Sequence, residues 1–444
     1  MPAGFVDDTG RTRVQIGLFI MLSGKLWQLR LILRKIWVRV SAFALLALIS
    51  AILAQLVAPL LPRFPGVQTG AEAVEQLLVV LATSMLAVTT FSLSVAVQAF
   101  AAAAQTATPR ATALLQEDPT TQNVLATFLG AFVFSLLGLV ALQADLYDAR
   151  GRLILFAVTA GVVALVIVSL IRWISHLMEF GRMENILDRV EDATTAALDR
   201  RLRSPFLGGR PLLTAPPVDG HKVIAKAAGY VLHLDMQRLQ TVAGEMGANL
   251  YLSRLPGSYV APGAPLLVVE GRAPDDAQVH KMRAAFSFGR QRVFDDDPRF
   301  GLIVLSEIAS RALSPAVNDP GTAIGVIGRL VRILSRWEPK EMEGTAFPRV
   351  HVPPILPEEA IIDAFRPIAR DGAGMIEVHL HLQKALGLLA DTAPEVFGPA
   401  ASAMAQYDLD CTRRADLPES ERAQLSSVGP TEPRSPRVRA NAFI

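Results

Sequence analysis

Thr83, Thr90, Ser94 and Gln98 recur at spacings of seven and four inside one apolar run, QLLVVLATSMLAVTTFSLSVAVQAFAAAAQ. On a helix those spacings place all four on one face. Ala87 and Ala101 share the stripe, and Gln105 extends it. Two kinds of chemistry fit. A polar stripe on a membrane helix can line a wet path for a small ion or solute. It can equally serve packing, because small and hydroxylated residues let helices approach and bond to one another or back to their own carbonyls.

A second polar cluster, Arg311, Ser314, Asn318, Asp319 and Thr322, joins the end of one expected helix to the start of the next. A helix N-terminus offers free N–H donors to an anion, and Arg311 can add charge. Asp319 competes for those donors as a cap, so the alternative is a capped elbow between helices, bonded to Arg311. Glu377, His379 and His381 would share a face only in a strand. Their surroundings, MIEVHLHLQKALGLLADTA, read as a helix, where residues two apart diverge, and no metal site is expected there. His221, His233 and His280 stand alone and read as ordinary surface residues. No zinc-protease, nucleophile-elbow, Walker or dinucleotide motif occurs, and Ser92 has no base near it in sequence. No catalytic residue, enzyme activity or cofactor is therefore expected.

The elements that must position these residues follow from composition. Of 444 residues, 51% are hydrophobic and 19% charged, against about 25% charged in a soluble protein. A net charge of +2 gives no reason to expect a nucleic-acid partner. The single cysteine, Cys411, excludes an internal disulfide and any cysteine-based metal cluster. The apolar excess lies before residue 175. A helix needs about 20 apolar residues to cross a bilayer, since hydrocarbon offers the backbone no partners. Four stretches qualify, at roughly 38–61, 76–104, 122–144 and 153–174. None carries an ionisable side chain at mid-span, which argues against a proton relay or charge-coupled pump. The short run at 14–24 follows Arg11 and Arg13, but it lacks a cleavage site and is followed by further basic residues, so it is not read as a cleaved signal. Met21 is an alternative start.

Orientation follows from the basic residues near span ends. Lys25, Arg30, Arg34, Lys35 and Arg39 precede the first span, and Arg172, Arg182 and Arg189 follow the fourth, with Arg200, Arg201 and Arg203 beyond. The opposite side has Arg63, Arg150 and Arg152 alone. Both termini are placed in the cytoplasm, with Trp37 and Trp173 at the interface that indole favours. The loop at 105–121 fits the rule least well, since Glu117 and Asp118 oppose Arg110 there.

Behind the spans, residues 175–203 continue the fourth as an amphipathic helix with Met183, Leu187, Val190, Thr194 and Ala197 on one face. Such a stalk packs on its own domain or on a copy of itself. A Pro/Gly-rich linker follows. Residues 220–272 alternate as strands, with MQRLQTVAGEMG at helical spacing. GSYVAPGAPL, with Gly257, Val260, Gly263, Pro265 and Leu266, is similar to the hairpin of biotinyl- and lipoyl-type barrel sandwiches, but no lysine stands at its tip. From 275 the signals are helical. Asp275 or Asp276 caps a helix through about Phe286, Asp297-Pro298 starts one through about Leu313, and Asn318-Asp319-Pro320 starts the next. Further helices are expected at about 357–370, 373–392 and 397–412, with a polar tail after about 415.

The chain resembles a family of bacterial predicted membrane proteins of unknown function. The matching segments are SMLAVTTFSLSVAVQAF with the Pro-Arg at 109–110, FLGAFVFSLLGL, GSYVAPGAPL and FGLIVLSEIASRALSPAVNDPGTAIGVIGRL, together covering roughly 36–400. RALSPAVNDPGTA is the most specific. In RQRVFDDDPRFG the resemblance implies a threonine where Val293 stands. It implies residence in the bacterial inner membrane and supplies no activity, substrate or cofactor.

The fold class expected is an α-helical membrane domain of four transmembrane helices followed by an α+β cytoplasmic domain, a small β-rich module plus helices. Its divisions are a leader (1–35), the membrane domain (36–175), a stalk (176–204), the β-rich module (218–274), a helical part (275–412) and a disordered tail (413–444). The partners expected are the bilayer, further copies of the chain and a small ion or solute. The function expected is channel- or transport-like, with a membrane-anchored sensor or scaffold as the alternative. The charge asymmetry predicts that alkaline phosphatase fused after the last residue is inactive in bacteria, while a fluorescent protein fused there fluoresces. The reverse pair of results would contradict the orientation.

Overall fold

The computed structural model describes residues 36–57, 68–116, 118–147, 151–179, 181–337, 344–415, 417–426 and 428. These fall into two compact units, one within 1–105 and 113–182, the other within 106–112 and 183–444.

The first unit is helical. It holds α1 (Ile36–Val57), α2 (Gln68–Thr106) up to Gln105, the second half of α3 (Pro109–Gln116), α4 (Pro119–Gln143) and α5 (Gly151–Glu179). Three helical segments are long and apolar enough to cross a membrane: Ala73–Ala104, Pro119–Gln143 and Gly151–Met178. The apolar part of α1 among the described residues is Val40–Leu53. Residues 58–61 of the first expected span, and the 1–35 leader with Met21, lie outside the described residues. At 39 residues, α2 is about 58 Å long, roughly twice the hydrocarbon thickness. Leu78, Phe128, Phe134, Leu155 and Trp173 form the core. A Cβ on Gly130 would lie 2.3 Å from the Phe43 ring, so the absent side chain is what lets α1 seat against α4. Trp173 is buried beside His176, with ring centroids 5.9 Å apart. Large apolar side chains on α2 and α5, among them Val80, Phe91, Val97 and Ile171, remain exposed, as a lipid-facing surface requires.

The expected continuous stalk is two helices. The chain turns at Gly181, whose φ of +80° is a left-handed value that glycine adopts without steric cost, and α6 (Met183–Arg203) begins afresh. The elements then run β1 (Gly209–Pro211), β2 (His221–Ile224), β3 (Gly229–Leu234), α7 (Met236–Met246), β4 (Asn249–Leu252), β5 (Tyr259–Val260), β6 (Pro265–Glu270), α8 (Asp276–Arg283) and β7 (Phe286–Gly289). After them come α9 (Pro298–Ala312), α10 (Pro320–Leu334), β8 (Phe347–Val352), α11 (Pro357–Asp371), α12 (Ile376–Thr392), α13 (Pro394–Arg414) and α14 (Glu419–Ser426). One sheet has the order β1-β8-β4-β6-β2, with β8 parallel to both β1 and β4; the other is β5-β3-β7, antiparallel. Val231, Leu239, Leu250, Leu267, Val269 and Val350 fill the core they share with α7.

Three expectations are corrected here. The helix from Asp275 stops at Arg283, and Phe286 starts a strand that pairs with β3. The part after 275 is not wholly helical, because β8 inserts into the larger sheet. Its alternation is only Val350 and Val352 buried, and its partners lie about 100 and 140 residues upstream, so local sequence says little about it. The expected disordered tail includes a helix at 419–426, held by fully buried Leu425.

Side-chain carboxylates start α7, α8, α9 and α10. Asp235, Asp275, Asp297 and Asp319 each accept a backbone N–H of the first turn, and Asp275 with Gln278 completes a capping box. Such caps contribute about 1 kcal/mol each.

The stalk packs on its own domain. Its buried face, Leu187, Val190, Thr194, Ala197 and Arg201, meets α9, and its acidic face meets α10. Arg329, itself buried, reaches Asp188 and Glu191 at 2.7 Å each and also pairs with Glu184. Arg332 holds Glu191 with two bonds of 2.7 and 2.8 Å. Burial pushes the Glu191 carboxyl up, but these arginines outweigh it and hold the group below its usual range. At the α6–α9 seam a Cβ on Gly301 would stand 1.9 Å from Thr194 Oγ1. Gly301→Ala is therefore expected to destabilise the unit by roughly 1–3 kcal/mol, as overpacking does, seen as a lowered thermal midpoint. An unchanged midpoint would refute this close packing.

Candidate functional site

The second unit contains a cavity of about 320 Å³, within the size range of small-molecule sites. Its walls come from segments far apart in sequence: Arg201 in the last turn of α6, residues 253–258 after β4, Arg292 to Arg299 leading into α9, and residues 353–356 after β8 with Glu359 in the first turn of α11.

The loop Arg292–Pro298 is fixed by charge. Arg292 grips Asp297 with two bonds, Nε to Oδ2 at 2.7 Å and Nη2 to Oδ1 at 3.0 Å, and its guanidinium lies 5.3 Å from the Phe300 ring centre. Asp297 also accepts the Phe300 N–H at the start of α9. Burial pushes the Asp297 carboxyl up, with Arg292 opposing. Gly257, at φ +90°, brings its backbone so close that a Cβ would lie 2.3 Å from Asp297 Oδ2. The motif GSYVAPG thus needs its first glycine to admit this carboxylate. Beside it, Arg200 donates to the Asp295 carbonyl, and His233 Nδ1 lies 2.6 Å from Asp296 Oδ2. At the far wall Arg299 pairs with Glu359 and with Asp363 at 2.6 Å.

Each carboxylate lining the cavity is therefore already matched: Asp297 by Arg292, Asp296 by His233 and Glu359 by Arg299. Arg201 is different. It is 6% exposed, and its Nε and Nη2 are buried with no hydrogen-bond partner. Burial pulls its guanidinium down to about 10, with Asp296 and Asp297 acting against that shift.

The residues singled out in the sequence lie elsewhere. Thr83, Thr90, Ser94 and Gln98 share an exposed face of α2. Thr83 and Thr90 bond back to the carbonyls of Val79 and Leu86 at 2.9 Å, and Gln98 Nε2 reaches Ser94 Oγ at 3.4 Å. At the elbow, Asp319 accepts the Thr322 N–H at 3.0 Å and its hydroxyl at 2.5 Å, and Ser314 Oγ donates to the Arg311 carbonyl at 2.7 Å. The hydrogen bonds from Thr322 hold the Asp319 carboxyl below its usual range. Asn318 takes a left-handed φ of +51° between the two helices. His379 and His381 diverge on α12. The first is buried against Asp408 at 2.6 Å and the Gly372 carbonyl at 2.8 Å, while the second is exposed. Among the described residues no group of three or more His, Cys, Asp or Glu is placed to hold a metal ion. His233 is exposed, as the sequence reading has it, and is not isolated: it pairs with Asp296 of the cavity lining.

Arg201 and Arg292 were missed as site residues. A signal existed for Arg201: it continues the stalk's buried positions Thr194, Ala197 and Leu198 at helical spacing. Its neighbours Arg200 and Arg203 disguised it as part of a surface charge run.

Residues 34–387 match the family described as predicted membrane protein, DUF2254. The chain belongs to this family. The matched range reaches into both units and includes the Gly257 turn and the loop into α9. The chain is also 31% identical over 228 residues to the uncharacterized protein Mb1321c of Mycobacterium bovis, and equally to the uncharacterized protein Rv1290c of Mycobacterium tuberculosis. The alignment spans 49% of this DUF2254 chain and 43% of each relative, so it reaches less than half the length of those proteins. No solved structure matches.

The His233–Asp296 bond raises the His233 pKa, against a smaller opposing effect of burial. The pair's stabilisation is therefore complete below the unfolded histidine's pKa, about 6.5, and is lost as pH rises through the higher folded value. The thermal midpoint of His233→Gln should lie below that of the wild type at pH 5.5, with the gap closing toward pH 8.5. A gap that widens with pH would contradict the pairing.

Proposed function

We propose that this DUF2254 protein is a multi-pass protein of the bacterial inner membrane, in which four helices anchor a cytoplasmic domain that senses a small ligand. The cavity at Arg201 is the observation that carries this reading. It lies wholly within the second unit, and its lining includes Arg201, a buried cation with two nitrogens that lack a hydrogen-bond partner. The fourth span is α1, whose 22 residues reach about 33 Å, enough for a hydrocarbon core of about 30 Å. The excess of Lys and Arg before α1 and after α5 supports cytoplasmic termini.

A second reading is favoured by a different observation. Thr83, Thr90, Ser94 and Gln98 share one exposed face of α2, so that copies of the chain meeting along it would enclose a polar path for an ion or small solute. Sensing takes precedence because Thr83 and Thr90 direct their hydroxyl protons to their own helix.

The two separate cleanly with the full chain in liposomes. Sensing predicts potassium and chloride flux no greater than in protein-free vesicles. It also predicts slower amide hydrogen exchange at 253–258 and 292–299 when the small-molecule fraction of a bacterial extract is added. Flux that disappears in a Thr90→Leu, Ser94→Leu double variant, with exchange unaffected by the extract, would overturn it in favour of transport.

A further inference from the structure

We propose that the cavity binds a small oxyanion, a carboxylate or phosphoryl group, which hydrogen-bonds the guanidinium of Arg201. The inference rests on the cavity being a ligand site, and it adds the class of ligand.

A guanidinium carries five N–H donors in a rigid fork that fits two oxygens of a carboxylate or phosphate. Buried charged donors left unmade are expensive, and proteins pair them. Here the neighbouring carboxylates do not serve. Asp297 is held by both Arg292 nitrogens that face it, and Asp296 is held by His233. Arg201 therefore keeps two buried nitrogens without an acceptor, and the same side chain lines an open volume of about 320 Å³. A polar neighbour is also ready. Ser258 Oγ accepts the Leu255 N–H at 3.2 Å, which leaves its hydroxyl proton free to be donated to a ligand. The paired carboxylates on the walls limit how much negative charge can enter. They favour one compact anionic group over a polyanion, because each further charge would meet Asp296 or Glu359.

A buried charge with unmet hydrogen bonds is also a liability in the empty protein. Replacing it by a neutral side chain of similar length removes that cost. Loss of Arg201 should thus abolish anion binding without lowering the stability of the anion-free protein, a combination that a merely structural arginine would not give.

The test uses the full chain in detergent at constant ionic strength, set with chloride. Thermal unfolding is followed while inorganic phosphate, sulfate or acetate is titrated. At least one should raise the midpoint saturably, by roughly 5 °C or more at a hundredfold excess over its dissociation constant. Acetate against phosphate tells carboxylate from phosphoryl chemistry. Arg201→Gln should melt no lower than wild type without anion and show no saturable rise. If Arg201→Gln does not fold, Leu356→Trp decides. Leu356 is a half-exposed residue of the cavity wall, and the larger ring should fill the cavity and weaken binding at least tenfold. No saturable rise with any of the three anions overturns the inference, as does equal binding by Arg201→Gln or by Leu356→Trp. Slowed exchange with bacterial extract but no binding of these anions would sink this inference and leave sensing standing. Anion binding with no exchange response to extract would do the opposite.

Discussion

A guanidinium withdrawn from water costs several kcal/mol unless other groups take up its charge and its hydrogen bonds. The second unit of this protein is organised around that constraint. Arg201 reaches the interior because α6 is pressed onto α9, and α6 can press so closely because Gly301 offers no side chain to Thr194. The same helix turns its acidic face to Arg329 and Arg332, so its rotation about its own axis is fixed from two sides. Fixing that rotation determines which of the adjacent arginines, Arg200 or Arg201, faces inward. Arg200 goes to the Asp295 carbonyl at the surface, and Arg201 goes to the cavity.

The loop opposite is built to leave Arg201 unsatisfied. Asp297 carries several obligations at once: it caps α9, it chelates Arg292, and it abuts the backbone of Gly257. A carboxylate so engaged cannot turn toward a further cation without uncapping a helix and releasing Arg292. Had Val293–Asp297 been a simple helix cap, one aspartate would have sufficed. The run Asp295-Asp296-Asp297 instead gives the first carbonyl to Arg200, the second side chain to His233 and the third to Arg292.

Much of this was legible in the sequence, and the pattern of success follows the range of the interactions. The apolar helices, the Asp-Pro helix starts at 297–298 and 319–320 and the amphipathic face of α6 each depend on residues within a turn or two, and they appear where local spacing places them. The parallel strand β8 depends on partners far away along the chain, and two buried valines are too few to announce it. The break at Gly181 was hidden because glycine is tolerated in helices as well as at their ends. The site was the least legible feature. GSYVAPG and VFDDDP both stood out, but one resembled a hairpin and the other a cap. Only the fold shows that Gly257 and Asp297 are in contact and that a stalk arginine completes the wall. The polar stripe on α2 stood out for a reason local to that helix, since hydroxyls at such spacing bond to their own backbone.

The most direct test of the central claim is to see what lies against Arg201. A crystal structure of the full chain grown with selenate, whose selenium scatters anomalously, would locate the anion without reference to any activity. The account predicts an anomalous peak in the cavity, with selenate oxygens at about 3 Å from the Arg201 guanidinium, as charge-assisted hydrogen bonds require. A cavity free of selenium, with Arg201 turned onto Asp296 or Asp297, would contradict it.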